Sequence, residues 1–216
     1  MSAALMPPDA VAAPPPDFGA AAGVSRETIE RLAIYAAQLV RWQKAINLVG
    51  PATLAVLWQR HMLDSAQLLR HLPDAPGPVV DLGSGAGFPG LVLAIAGVPD
   101  VHLVESDARK SAFLAETARL TDAKVTLHTR RIDAVAPFAA RAVTARALAP
   151  LDKLMGLAAP FFGEATVGLF HKGRDWRREL TLAEEAWRMQ SRCLASVVDP
   201  ESVILRVEKV SPVTPG

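Results

Sequence analysis

Ile29, Leu32, Ala33, Ala36, Leu39 and Val40 recur at the spacing of one helical face, and Ser25 stands where it can cap the start of that helix. The pattern stops near Asn47, and Gly50-Pro51 punctuates it. A second helical run, about 53–72, carries Leu54, Leu57, Trp58, Leu68 and Leu69 and ends before Pro73. From residue 78 the period changes. Short β-rich runs (PVVDL, VHLVE, KVTLH, RAVTAR and ATVGLFH) alternate with helical stretches at about 89–97, 108–120, 150–158 and 175–190. Two neighbouring runs, LASVV and SVILRVEKV, read as a closing pair of strands. Alternating strand and helix predicts a parallel sheet covered on both faces, and the closing hairpin predicts that the last strand runs antiparallel. The expected architecture is a doubly wound α/β core over 77–216, forming one globular unit with a helical extension at 24–76. Its ligand belongs at the carboxyl ends of the strands.

Residues 1–23, MSAALMPPDAVAAPPPDFGAAAG, show neither period. They hold few large apolar groups and several prolines, so a disordered tail is expected there, and the lack of a basic n-region argues against a secretory signal. No apolar run reaches the roughly 18 residues of a membrane span. A single cysteine, Cys193, excludes an internal disulfide and suits a reducing cytoplasm. The five histidines show no metal-ligand spacing, so no metal is expected. Net charge is only +1, so any nucleic-acid surface must come from local gathering of basic residues. Arg130, Arg131, Arg141 and Arg146 near the third and fourth strands, and Lys172, Arg174, Arg177 and Arg178 after the fifth, are placed to form such a rim.

The stretch VVDLGSGAGFPG, residues 79–90, carries the chemistry. A strand bearing Asp81 opens into Gly83, Gly85, Gly87 and Gly90, a loop whose backbone can come close to a ligand. Gly85 to Gly90 matches GxGxxG, and Glu105 lies twenty residues past Gly85, where a ribose-binding acid belongs. That pattern alone suits NAD. Against it, the glycine turn begins earlier, at Gly83, directly after the acid-bearing strand. A Walker loop is excluded, since no Gly-Lys-Ser/Thr follows. The pattern reads as a nucleoside site rather than a packing turn.

The run D-x-G-S-G-x-G-F-P-G resembles the cofactor loop of S-adenosylmethionine-dependent methyltransferases. More narrowly, the chain resembles the bacterial 16S rRNA guanine-N7 methyltransferases, the glucose-inhibited division protein B family, from about residue 35 to 175. Asn47-Leu48, Arg60-His61-x-x-Asp64-Ser65, Glu105-Ser106, Lys110, Phe113-Leu114, Arg146-Ala147 and Lys172-Gly173 carry the likeness. It departs at Ala145, where the family has serine, and in ESVILRVEKV, which lacks an Arg-His pair. The resemblance implies a Rossmann-like class I fold with a mainly parallel seven-stranded sheet, S-adenosylmethionine as cofactor, and 16S rRNA or the small ribosomal subunit as partner of a cytoplasmic, monomeric enzyme.

Cofactor contacts are then expected at Asp81, Gly83, Ser84, Gly85, Phe88, Glu105, Ile132, Asp133 and Arg146, and substrate contacts at Arg60, Arg146 and Lys172. Asp81 either orders the loop or takes the cofactor's ammonium, Glu105 accepts the ribose hydroxyls, and Phe88, Ile132 and Asp133 surround the adenosine. His61 either braces the helical extension or borders the substrate mouth. No catalytic base stands out. TARAL replaces the Asp/Asn-Pro-Pro-aromatic motif of amino-group methylation, and Cys193 lies far along the chain from the loop. Guanine N7 needs neither, because its in-plane lone pair carries no proton. A small-metabolite methyltransferase and an NAD-dependent oxidoreductase are the alternative readings.

Overall fold

The computed structural model describes residues 13–213. Its strands are β1 (Val79–Leu82), β2 (Val101–Val104), β3 (Val125–His128), β4 (Ala140–Arg146), β5 (Phe162–Lys172), β6 (Trp187–Ala195) and β7 (Val203–Pro212). They form one sheet in the order β3-β2-β1-β4-β5-β7-β6. Strands β1 to β5 pair in parallel, and β7 inserts antiparallel between β5 and β6. The expected seven-stranded doubly wound sheet with an antiparallel last strand is therefore present.

Side chains alternate across a strand, and the two apolar layers follow that alternation. Val79 joins Val101, Leu103, Leu169 and Ile204 on one face. Val80, Leu82, Val104, Val143 and Leu205 join on the other. Helices α1 (Phe18–Ala22), α2 (Arg26–Gln43), α3 (Asp64–Ala66), α4 (Gly90–Ile95) and α5 (Ala108–Leu120) contribute to the first layer; α6 (Leu151–Ala158) and α7 (Trp176–Ala186) cover the second. The Ser25 hydroxyl accepts from the Thr28 amide at 3.2 Å, the expected cap of α2, whose buried stripe is Leu32, Tyr35, Ala36 and Leu39.

Three local readings change. The run expected as one helix over 53–72 is helical but irregular, with 3₁₀ turns at Pro51–Val56 and Gln67–His71 around a π-helical turn, Trp58–Leu63, and the short α3. This wide turn accommodates polar His61 and Asp64 as buried groups in an otherwise apolar layer. The helix expected to reach residue 190 stops at Ala186, and β6 takes over from Trp187. Trp187 and Met189 pack on the second layer while Arg188 and Gln190 are exposed, a period of two that overrides the helical reading. LASVV supplies only the end of that strand.

The expected tail also shortens. Residues 1–12 lie outside those described, but Phe18–Ala22 is a helix closed by Gly23 at φ 70°. Phe18 is buried with its ring edge-on to Trp58 at 4.9 Å, and the Arg70 guanidinium donates to the Ala21 carbonyl at 3.0 Å. One aromatic anchor is enough to dock this otherwise alanine-rich segment. Replacing it, Phe18→Ala, should lower stability by about 3 kcal/mol. Urea denaturation checks this, and truncation through Ala22 should likewise depress the melting temperature.

Candidate active site

The strand order reverses between β1 and β4, where a crevice opens at the carboxyl ends of the strands. A cleft of about 480 Å³ occupies it, within the range that holds nucleoside-sized ligands. Gly83, Ser84, Gly85 and Phe88 form one wall. Gly83 and Gly85 have φ of 64° and 58°, in the left-handed region where glycine carries no steric penalty. A Cβ built on Gly83 would meet Leu148 Cδ1 at 2.5 Å. The loop folds onto itself: the Ser84 hydroxyl donates to the Asp81 carbonyl at 3.0 Å and the Gly87 amide to the Ser84 carbonyl at 2.7 Å.

Glu105, just beyond β2, lines the cleft beside the glycine loop. One carboxylate oxygen accepts from the Gly85 amide at 2.8 Å and the other from the Asp107 amide at 2.8 Å. Each keeps acceptor capacity, since a carboxylate oxygen has two lone pairs. Glu105 therefore shapes the glycine loop as well as facing the cleft. Ile132 and Asp133 also line it, Asp133 paired with Arg131 at 3.0 Å, which holds its carboxyl below the usual range.

Asp81 departs from the expectation of a cofactor contact. It is fully buried, does not line the cleft, and accepts from the Thr144 hydroxyl at 2.8 Å. Sharing the face of Val79, it turns toward α4, where a Cβ on Gly90 would come within 2.6 Å of its own Cβ. Burial raises its pKa to about 6. Of the two roles expected for Asp81, the one that orders the loop matches this geometry.

Arg146, the last residue of β4, lines the cleft and is held from three sides. Its Nη1 donates to Asp64 Oδ2 at 3.2 Å and to the Arg60 carbonyl at 3.1 Å, and its Nη2 to His61 Nδ1 at 2.8 Å. Its guanidinium lies 4.8 Å from the centre of the Phe88 ring, a cation–π contact. Phe88 stacks on His61 at 4.9 Å on one hand and on Tyr35 at 5.2 Å on the other. The tautomer of His61 follows. A guanidinium only donates, so Nδ1 is the acceptor and Nε2 carries the hydrogen. Nε2 then donates to the Thr53 hydroxyl at 2.7 Å, which donates to the Gly50 carbonyl at 2.7 Å. Burial, with Arg146 and Arg60 nearby, depresses His61 to about 3, so the ring is neutral at physiological pH. Its bracing role is the one the hydrogen bonds support.

The substrate expectations divide. Arg60 is half exposed, 3.4 Å from Asp64 Oδ2. Lys172 is buried, and its ammonium donates to the Ala149 carbonyl at 2.8 Å and to Glu179 Oε2 at 2.7 Å. It fastens the end of β5 to α7 and is not free for a phosphate. The expected basic rim is smaller too. Arg130, Arg131 and Arg146 share the cleft, whereas Arg174 pairs with Glu201 at 3.3 Å and Arg141, at the opposite end of β4, donates to the Pro73 carbonyl at 3.0 Å.

The GidB family model, rRNA small subunit methyltransferase G, matches residues 28–203. The chain belongs to this family. Ribosomal RNA small subunit methyltransferase G of Paramagnetospirillum magneticum is 55% identical over 189 residues, 88% of this chain and 92% of that one. Its counterpart in Rhodospirillum rubrum is 53% identical over 196 residues, 91% and 98% of the two chains. Among solved structures, a TehB-like SAM-dependent methyltransferase from Corynebacterium glutamicum superposes with a TM-score of 0.57 at 13% identity, covering 82% of this chain and 99% of its own. Magnesium protoporphyrin IX methyltransferase from Synechocystis gives 0.54 at 15% identity, covering 86% and 98%. These share the class I methyltransferase fold.

Within this member of the methyltransferase G family, sequence reading missed four contributors. Tyr35 donates from its hydroxyl to the Ala86 carbonyl; a polar-tipped ring on the buried stripe of α2 was the available signal. Gln43 accepts from the Leu48 and Val49 amides, both at 3.0 Å, and so fixes a loop whose Leu48 and Val49 line the cleft. Thr53 orients His61. Ala147 adopts φ 54° directly after Arg146, which no local residue pattern announces.

Two buried groups give opposite pH signatures. The unfolded chain protonates His61 first, at its ordinary 6.5 against about 3 in the fold, so stability falls as pH drops below about 6.5. The folded chain protonates Asp81 first, at about 6 against 3.8, so stability is gained as pH drops below about 6. Between about pH 4 and 6, His61→Gln should flatten the acid-side loss and Asp81→Asn should steepen it. Each change amounts to up to about 1.4 kcal/mol per pH unit in urea titrations.

Proposed function

We propose that the protein methylates N7 of a guanine in 16S ribosomal RNA, using S-adenosylmethionine. The family supplies the methyltransferase activity and the small-subunit RNA substrate class. The cradle at Gly83 and Gly85, the Glu105 carboxylate and the apolar Ile132 suit a cofactor with an amino-acid end, a ribose and an adenine. When bound, that cofactor supplies an electrophilic methyl group on a positively charged sulfur. Gly83 and Ser84 would hold the methionine end, Glu105 the ribose, and Ile132 with Asp133 the adenine.

The observation that carries the choice of N7 is the state of His61. It is the imidazole beside Phe88 and Arg146, and both its nitrogens are committed, one lone pair to Arg146 and one N–H to Thr53. It therefore offers no base, and His171, the neighbouring imidazole, is not among the side chains that line the cleft. Cys193 is exposed on β6, the strand at the sheet edge two places from β5, which supplies no nucleophile near the cleft. Guanine N7 needs neither a base nor a covalent handle. The protein's work is alignment and a field suited to moving positive charge onto the base. Arg130 and Arg131 at the cleft wall support contact with an RNA backbone.

Gly85→Asp, which adds a charge to the cradle, should abolish S-adenosylmethionine binding by calorimetry while leaving the chain folded. Glu105→Ala should weaken binding by about 1.5–3 kcal/mol. Near-native affinity in either variant counts against the cofactor placement. The single-turnover rate on undermethylated small subunits should stay nearly flat from about pH 6.5 to 8.5, since no base needs deprotonating. Treated RNA should be cut by borohydride and aniline at one guanine. A rate rising tenfold per pH unit, or RNA resistant to this cleavage, would exclude N7.

A further inference from the structure

Beside the cofactor cleft lies a second cavity of about 140 Å³, walled by Arg60, Asp64, Arg146, Ala147, His171 and Lys172. Arg146 and Ala147 line both spaces, so the two adjoin. The smaller falls well under the roughly 300 Å³ of a nucleotide-sized pocket and suits one flat ring system.

Most of its polar groups are already satisfied. Asp64 accepts from Gln67 at 2.8 Å and from Arg146 at 3.2 Å, and Lys172 is bound to Glu179 and Ala149. Two features are not. Arg146 uses three of its five N–H groups on protein partners, leaving Nε–H and one Nη2–H. His171, with a side chain 8% exposed, has a buried Nδ1 with no hydrogen-bond partner. Its Nε2 lies 2.8 Å from the Asp64 carbonyl, which can only accept, so Nε2 carries the hydrogen and Nδ1 keeps its lone pair. Burial holds the ring below the ordinary imidazole range and hence neutral. An acceptor buried with nothing donating to it is costly, and a ligand's N–H would relieve that cost.

We propose that this cavity takes the target base and that His171 Nδ1 accepts from the N1–H or N2–H of guanine, setting the choice of base. This rests on the guanine-N7 reading. A guanine with N7 toward the cofactor cleft turns its N1–H and N2–H groups to the far side of the ring, into the cavity. Adenine offers a lone pair at N1 and no amino group at C2, so it would set lone pair against lone pair. In the transfer, the N7 lone pair forms the bond to the methyl carbon and the carbon–sulfur pair returns to sulfur. The positive charge passes to the base, and no proton moves. The base's N–H groups become stronger donors as that charge arrives, so the His171 bond tightens in the transition state and acts on kcat more than on KM.

Two measurements test this. On undermethylated small subunits with saturating S-adenosylmethionine, His171→Leu should lower kcat about ten- to hundredfold with KM little changed. His171→Gln, whose carbonyl oxygen can accept, should recover part of the loss. Equal rates in all three enzymes, or a loss confined to KM, would overturn the proposal. The second measurement uses the unaltered enzyme, so folding of a variant is not at issue. With ¹⁵N-labelled histidine and S-adenosylhomocysteine present, the His171 Nδ1 resonance should move on adding guanosine monophosphate and not adenosine monophosphate. No movement up to the solubility limit, or equal movement with both, overturns the assignment; a resonance already shifted and indifferent to nucleotide marks an ordered water as the partner and does the same. If wild-type enzyme leaves the subunits unmethylated, the rRNA reading fails, while the titration still decides the pocket.

Discussion

The ion pair between Asp64 and Arg146, 3.2 Å long with side chains only 4% and 14% exposed, is the constraint from which the site is built. Removing two charges from water is expensive, and the attraction repays it only where further hydrogen bonds satisfy both groups. Here they do: Gln67 donates to Asp64, while the Arg60 carbonyl and His61 accept from Arg146. Asp64 lies in the helical extension and Arg146 ends β4, so the pair joins the extension to the sheet at its functional end. His171 of β5 adds a third tie through the Asp64 carbonyl. Removing Asp64 would strand the buried Arg146, and removing Arg146 would leave Asp64 only the half-exposed Arg60 as a cation.

The cofactor loop inherits its shape from that junction. Arg146 lies against Phe88, and Phe88 is clasped between His61 and Tyr35, both from the extension. The Tyr35 hydroxyl leaves no space for a Cβ at Gly87, which it would meet at 2.8 Å. The glycines are thus of two kinds. Gly85 lines the cleft with only the Gly83 carbonyl, 3.8 Å away, near its missing Cβ, whereas Gly83, Gly87 and Gly90 also have protein packed closely against them. A GxGxxG pattern mixes the two and cannot tell them apart.

Fold and loop were legible because both rest on local signals. β-Branched runs, helical spacing and the step from Asp81 into glycine are written in consecutive residues, and Glu105 falls at the end of its own strand. Partnership across the sheet was not legible. Lys172 reads as an exposed base after a strand, yet Glu179, one helical turn into α7, captures it. Asp81 reads as a ligand, yet its strand phase points it at α4. His61 and Asp64 stand three apart on the helical extension, and the structure joins both to Arg146, more than eighty residues on. Phe18 escaped notice because a lone aromatic among alanines has no periodicity to betray it.

The sheet has two edges, and they differ. β3 ends one side with four residues, while β6 ends the other with nine. A long unpaired edge invites strand addition by another copy of the chain, the first step of aggregation. β6 exposes Arg188 and Arg192 along that edge, and arginines brought together by pairing with an identical strand would repel. The charge spread along this strand therefore opposes edge-to-edge pairing between copies of the chain.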